Sequence, residues 1–178
     1  EANLRLIEDG RFGNNKMKLM VSQNEPFVIL KDAWHASSRE LLPMNDHEAR
    51  KNVETIIAKV LSNRKPPYGI IGGLYDALLD SGGDVLTANN EQLNKAAQIF
   101  FETEGNDIHP ASAIAVATLI DEVKNNRIKK DALIMLNITG GGEDHFRHDK
   151  ELHYLKPTLV FDIDPDFLPD NWEQHKEE

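Results

Sequence analysis

Cysteine is absent from this chain, and its absence removes disulfides, thiolate nucleophiles and zinc–cysteine sites at once. A reducing compartment suits such a chain, and the cytoplasm is the expected location. Basic charge is also scarce. With 20 Lys and Arg against 30 Asp and Glu, the formal net charge is −10, which argues against a nucleic-acid backbone as partner. A small anionic ligand is compatible with a locally positive pocket. No apolar run approaches the roughly 18 residues that a membrane span needs, so no membrane partner is expected. The chain begins with Glu1 rather than Met and has no signal-like apolar segment, which reads as a fragment of a longer protein. What remains is 178 residues, 40% hydrophobic and 28% charged, enough for one globular domain with a sizeable core. The expected organisation is a single α/β domain over residues 1–178, closed by an acidic tail at 164–178.

The stretch around which the chain is organised is DALIMLNITGGGE, residues 131–143. Residues 132–136 form a short apolar run of the kind that fills a parallel sheet, and Thr139, Gly140, Gly141 and Gly142 follow where such a strand would leave it. Ligands of open α/β folds gather at that edge. Glycines permit positive φ and close approach to the backbone, while a threonine hydroxyl both donates and accepts hydrogen bonds. A flexible turn is the competing reading of the same residues. No Gly-Lys-Ser/Thr follows and no GxGxxG is present, so the stretch is neither a P-loop nor a dinucleotide fingerprint.

Residues 1–9 read as a helix closed by Gly10. Strands are expected at residues 16–22 and, after Pro26, at 27–30. Asn45 and Glu48 match a capping box, and Val53, Ile56, Ile57, Val60 and Leu61 then fall at helical spacing. A glycine-bearing loop at 68–73 leads into a short helix at 74–80, a Ser-Gly-Gly turn and a strand at 84–87. Asn89 with Gln92 makes a second capping box, and Gly105 closes the helix that follows. Pro110 then starts the most apolar helix, ASAIAVATLIDEV, whose alanine-rich faces place it at the centre of the core. A last strand is expected at 157–163. Strands alternating with helices imply an α/β three-layer sandwich with a mainly parallel sheet.

Other residues invite functional readings. Asp162, Asp164, Asp166 and Glu173 have the spacing of a calcium loop, but Phe167 stands where the sharp turn needs glycine, and Pro165 and Pro169 interrupt it. His145, His148 and His153 cluster without the carboxylate pattern of a metallohydrolase, so a solvated polar loop is the expectation. His35, His47 and His109 are isolated and read as surface or capping residues. Lys31 in an apolar setting could form a Schiff base, although the exposed end of a short strand describes it as well. Glu104 before Gly105 is a solvated residue at a helix end on local grounds alone.

Two motifs in order, FETEGNDIHPASAIAVATL at 101–119 and LNITGGG at 136–142, resemble the C-terminal part of fold type II pyridoxal-phosphate enzymes, the group of threonine synthase, cysteine synthase and the tryptophan synthase β subunit. EANLRLIEDGRFGNNKMKLMVSQNEPF and RKPPYGIIGGLYDALLDSGGDV look most like the cysteate synthases, paralogues of threonine synthase. The resemblance covers nearly the whole chain. It implies pyridoxal phosphate as cofactor, with Thr139 as the hydroxyl beside the pyridine nitrogen. Gly140 and Gly141 would let the ring sit close, and Glu104 would lie near its edge. It also implies that the Schiff-base lysine and the phosphate-cradling glycine loop lie upstream of this chain. Lys31 follows the first helix and is therefore not the family lysine.

The implied activity of the parent protein is elimination of phosphate from O-phosphoserine and addition of sulfite to give cysteate. The fragment itself would be inactive. Threonine synthase activity on O-phosphohomoserine is the alternative in the same class, and a non-catalytic α/β module that binds a metabolite or a partner is the alternative in another. Expected partners are a small anionic amino-acid substrate and a second copy of the chain, either as a homodimer or by self-association through exposed core surface.

Overall fold

The computed structural model describes residues 1–157. The strand expected at 157–163, the calcium-loop spacing at 162–173 and the acidic tail lie outside the described residues. Within them the chain is α/β, with a small parallel sheet and seven α-helices.

The N-terminal segment forms α1 (Ala2–Glu8). The Gly10 N–H, at φ 75°, bonds Ile7 O at 3.0 Å, so the glycine ends the helix as its position implies. β1 (Met20–Asn24) pairs in parallel with β2 (Asp84–Ala88), Met20 opposite Asp84 and Asn24 opposite Ala88. The first strand therefore starts four residues later than the alternation at 16–22 suggests. Its partner sets the start, because β2 begins only after the turn at Gly82 and Gly83. There a side chain on Gly83 would stand 2.1 Å from Leu19 O.

The expected strand at 27–30 is instead the entry to α2 (Ile29–His35). Gln23, buried on β1, explains the difference. Its Oε1 accepts the N–H groups of Leu30 and Lys31 at 3.0 and 2.9 Å and so caps a helix with no capping residue of its own. α3 (Asp46–Thr55) begins as expected, with Asn45 Oδ1 accepting from His47 and Glu48 N–H, but it stops at Thr55. The helical spacing through Leu61 fails for a long-range reason. Asn24 Oδ1, fully buried, accepts the N–H groups of Ile57 and Ala58 at 3.1 Å, and Asn90 Nδ2 donates to Thr55 O at 2.8 Å. Two asparagines thus take over the backbone groups that another helical turn would have used. Residues Lys59–Leu61 form one turn of 3-10 helix.

α4 (Leu74–Ser81) ends on Gly82 at φ 63°. α5 (Asn90–Glu104) opens with the complete Asn89/Gln92 capping box and ends on Gly105 at φ 74°. α6 (Pro110–Lys124) is the central helix, with Ser112, Ala113, Ile114, Val116, Ala117, Thr118 and Glu122 buried. It packs on α5 and on both strands, and its Thr118 hydroxyl bonds Ser22 on β1 at 2.7 Å. The small side chains are what permit this approach on several sides, as the alanine content implies.

The remaining correction concerns the sheet. Residues 132–136 form no strand, and the sheet of the described residues has two parallel strands. A strand exists only as part of a ladder, and this segment pairs with no strand among the described residues; an isolated bridge, Ile108 with Gly141, forms only beyond its end. Leu136 touches the core, but Leu133, Ile134 and Met135 are exposed, Leu133 completely. α7 (Glu143–Asp149) follows.

Candidate functional site at the glycine turn

The start of α6 and the glycine turn are built as one unit. Pro110 sits in the first turn, where its missing N–H costs nothing, and His109 serves as N-cap, Nδ1 accepting the Ala111 N–H at 3.3 Å. His109 N–H donates to Gly140 O at 2.9 Å, and the Ser112 hydroxyl reaches the same oxygen at 3.4 Å. Thr139 N–H in turn donates to Ser112 Oγ at 3.2 Å. On the other side of the turn, Gly142 N–H donates to Asp107 O at 2.8 Å.

Of the four residues singled out in the sequence, three are therefore brought together. Thr139 is exposed, Gly140 is half-buried against His109, and Gly141 lies against Asp107 and Ile108. The two glycines stand there for different reasons. A Cβ on Gly141, at φ 156°, would be 2.3 Å from Asp107 O, so packing alone demands glycine. A Cβ on Gly140 would meet only the His109 side chain, Cβ at 3.4 Å and Cγ at 4.0 Å, ordinary contacts, so packing leaves that position free. Glu104 is exposed in the last turn of α5, three residues ahead of Asp107.

A cleft of about 500 Å³ adjoins this unit, lined by Phe101, His109 and the carboxylates of Asp107, Glu143 and Asp144 among others. None of the four singled-out residues lines it, and neither does a lysine or arginine. The expected anionic substrate would find no counter-charge there. Asp107 already has a task. Partial burial pushes its carboxyl up, but the backbone N–H groups of Asp144, of Asp107 itself, and of His145 and Glu143 outweigh that and hold it below the usual carboxylate range. The Asp144 N–H lies 3.2 Å from Asp107 Oδ2, so Asp107 caps α7 from outside the helix.

The other candidates are accounted for separately. Lys31 is on α2 rather than at a strand end, half-buried, with Nζ donating to Thr87 Oγ1 at 3.0 Å. The Thr87 hydroxyl donates in turn to Glu25 Oε1 at 2.6 Å. His145 and His148 are exposed on α7, both beside Asp149, and His153 is exposed beyond it. No group of three metal-binding side chains occurs among the described residues. No helix among them is long and apolar enough to cross a membrane.

Sequence reasoning missed Ser112 and Asp107. Ser112 had one local signal, a hydroxyl in the first turns of an otherwise alanine-rich helix, where serine is held only when it finds a backbone partner. Asp107 had none, since its partners lie more than 30 residues further along the chain.

No family model matches the chain. Among curated proteins it is similar to the cysteate synthase of Methanocella paludicola, 43% identical over 160 residues, or 89% of this chain and 37% of that protein. It is similar to the cysteate synthase of Methanosarcina barkeri, 44% identical over 161 residues, or 90% of this chain and 39% of that protein. That of Methanospirillum hungatei is 39% identical over 160 residues. The resemblance to cysteate synthases is thus shown along nearly the whole chain, which spans less than two fifths of the length of these relatives.

Proposed function

We propose that this chain is the C-terminal portion of a pyridoxal-phosphate-dependent β-replacement enzyme of the cysteate synthase type, with the sandwich architecture of fold type II. One observation carries the reading: identities of 38–44% over 85–90% of the chain to proteins of that name. In the reaction, the bond from the β-carbon of O-phosphoserine to phosphate oxygen breaks, and a carbon–sulfur bond to sulfite forms. The bound cofactor supplies the electron sink for that exchange, and the protein supplies orientation and electrostatics.

The residues present fit the part of the cofactor assigned to them. Thr139 offers an exposed, neutral hydroxyl, suited to a pyridine nitrogen kept largely unprotonated, as β-replacement requires. Gly140 keeps the surface beside it low where packing does not require glycine, which gives ligand approach as the reason for that residue. Glu104 is assigned to the ring edge. The Schiff-base lysine, the phosphate loop and the positive charge for the anionic substrate are assigned to the part of the relatives that this chain does not span. In this reading the whole enzyme is a cytoplasmic homodimer.

The test is made on the whole gene product that contains this chain, supplied with pyridoxal phosphate, O-phosphoserine and sulfite. Sulfite-dependent phosphate release with cysteate detected by mass spectrometry is expected. Phosphate release from O-phosphohomoserine with threonine as product would assign a threonine synthase instead, and no release from either substrate refutes the reading.

A further inference from the structure

We propose that Ser112 is a positioning residue for Thr139, an inference that rests on the assignment of Thr139 as the cofactor's hydroxyl contact. The buried polar side chains of the described residues are Gln23, Asn24, Ser112, Thr118 and Glu122. Four of them hold the fold. Gln23 caps α2, Asn24 ends α3, Thr118 bonds β1, and Glu122 pairs with Arg127. Ser112 alone faces the glycine turn.

Ser112 is 2% exposed, and its hydroxyl both accepts and donates, bonding two successive residues. It accepts from the Thr139 N–H at 3.2 Å and donates to the Gly140 carbonyl at 3.4 Å. Gly140 O is also held by the His109 N–H at 2.9 Å. The peptide groups on either side of Thr139–Gly140, one through its N–H and one through its carbonyl, are therefore fixed against the first turn of a 15-residue helix that is itself the centre of the core. With its backbone tied inward, Thr139 has its side chain left outside. An alanine in place of Ser112 would keep the helix, which is built of alanine around it, and would release the Thr139 N–H while Gly140 O stays bonded to His109.

The test uses the ¹⁵N-labelled whole gene product that contains this chain and its variants Ser112→Ala, Ser112→Cys and Ser112→Thr, with pyridoxine 5′-phosphate as a probe that cannot form adducts with lysine. Loss of one hydrogen bond predicts amide exchange at Thr139 on the order of tenfold faster in Ser112→Ala. Ser112→Thr restores the wild-type rate, Ser112→Cys falls between, and amides deeper in α6 such as Ala117 keep their rates in all three. The probe is expected to shift the Thr139 amide in the wild-type protein and to bind several-fold more weakly to Ser112→Ala. Unchanged exchange at Thr139, equal acceleration throughout α6, or unchanged probe affinity in Ser112→Ala overturns the positioning role. Slowed exchange that depends on Ser112 with no probe shift at Thr139 in the wild type instead overturns the assignment of Thr139, and the inference falls with it.

Discussion

Replacing Asn24 by alanine is expected to be among the most damaging single changes in the described chain, because one amide ties three segments. Nδ2 donates to Ala88 O on β2 and to Asn90 Oδ1 at the start of α5, both at 3.1 Å, and Oδ1 accepts the N–H groups of Ile57 and Ala58 at 3.1 Å. The residue is 0% exposed, and so is Ala58. In the alanine variant Ile57 keeps an acceptor, since Asn90 Oδ1 also lies 3.1 Å from its N–H, and Ala88 O keeps the Glu25 N–H at 2.9 Å. The Ala58 N–H keeps nothing. Stranding that one buried donor costs about 1–3 kcal/mol. The lost packing of a small buried side chain adds roughly 1 kcal/mol, giving about 2–4 kcal/mol in all, a large share of a typical total stability of about 5–15 kcal/mol. For a chain of this length that corresponds to a drop in Tm of roughly 4–16 °C. Urea unfolding followed by circular dichroism measures it, and Asn90→Ala, which leaves Ala58 bonded to Asn24, is the control with the smaller loss. A loss below about 0.5 kcal/mol for Asn24→Ala, the range of an ordinary surface change, would refute the argument that this side chain ends α3.

Gly141→Ala is expected to destabilise by about 1–3 kcal/mol, since its Cβ collides with Asp107 O, whereas Gly140→Ala should leave thermal stability nearly unchanged. Differential scanning fluorimetry separates the two, and in the whole enzyme Gly140→Ala is expected to weaken cofactor binding nonetheless. The lowered carboxyl of Asp107 sets a pH dependence: its stabilisation of α7 is complete above the ordinary aspartate range and is lost only as pH falls through its depressed value. Carboxyl ¹³C titration of Asp107, read beside the α7 amide shifts, should show both moving together at a midpoint below that of an exposed aspartate. Leu133→Lys with Met135→Lys is expected to reduce self-association in analytical ultracentrifugation, because both side chains are exposed apolar surface that a second copy would cover. Equal association with and without the two lysines would place that contact elsewhere.

What was legible in the sequence was what neighbouring residues decide among themselves. Asn89 and Gln92 complete a capping box within four residues, Gly105 accepts the left-handed turn after α5, and Pro110 marks the start of α6; each is a local exchange of hydrogen bonds or steric freedom. Alanine content placed α6 at the core correctly, since small side chains on several faces have little other use. The misreadings share one cause. α2 is capped by Gln23 from a strand, and α3 is ended by Asn24 and Asn90 from two other elements, so the deciding groups lie 7 to 35 residues away. Helical spacing from Val53 to Leu61 carries no trace of them.

The segment at 132–138 shows the same limit from the other side. Its apolar run has the composition of a buried strand, yet Leu133, Ile134 and Met135 face outward with no ladder among the described residues. Local pattern states which face a segment would bury, and only a partner decides whether it does so. Leu136 packs on the core, and just beyond it Thr139 and Gly140 are held to α6 through Ser112 and His109. The segment is thus anchored at the end that leads into the glycine turn. That anchoring lets the turn keep its geometry whatever pairs with the run before it, and it explains why the candidate site is better formed than the sheet expected to carry it.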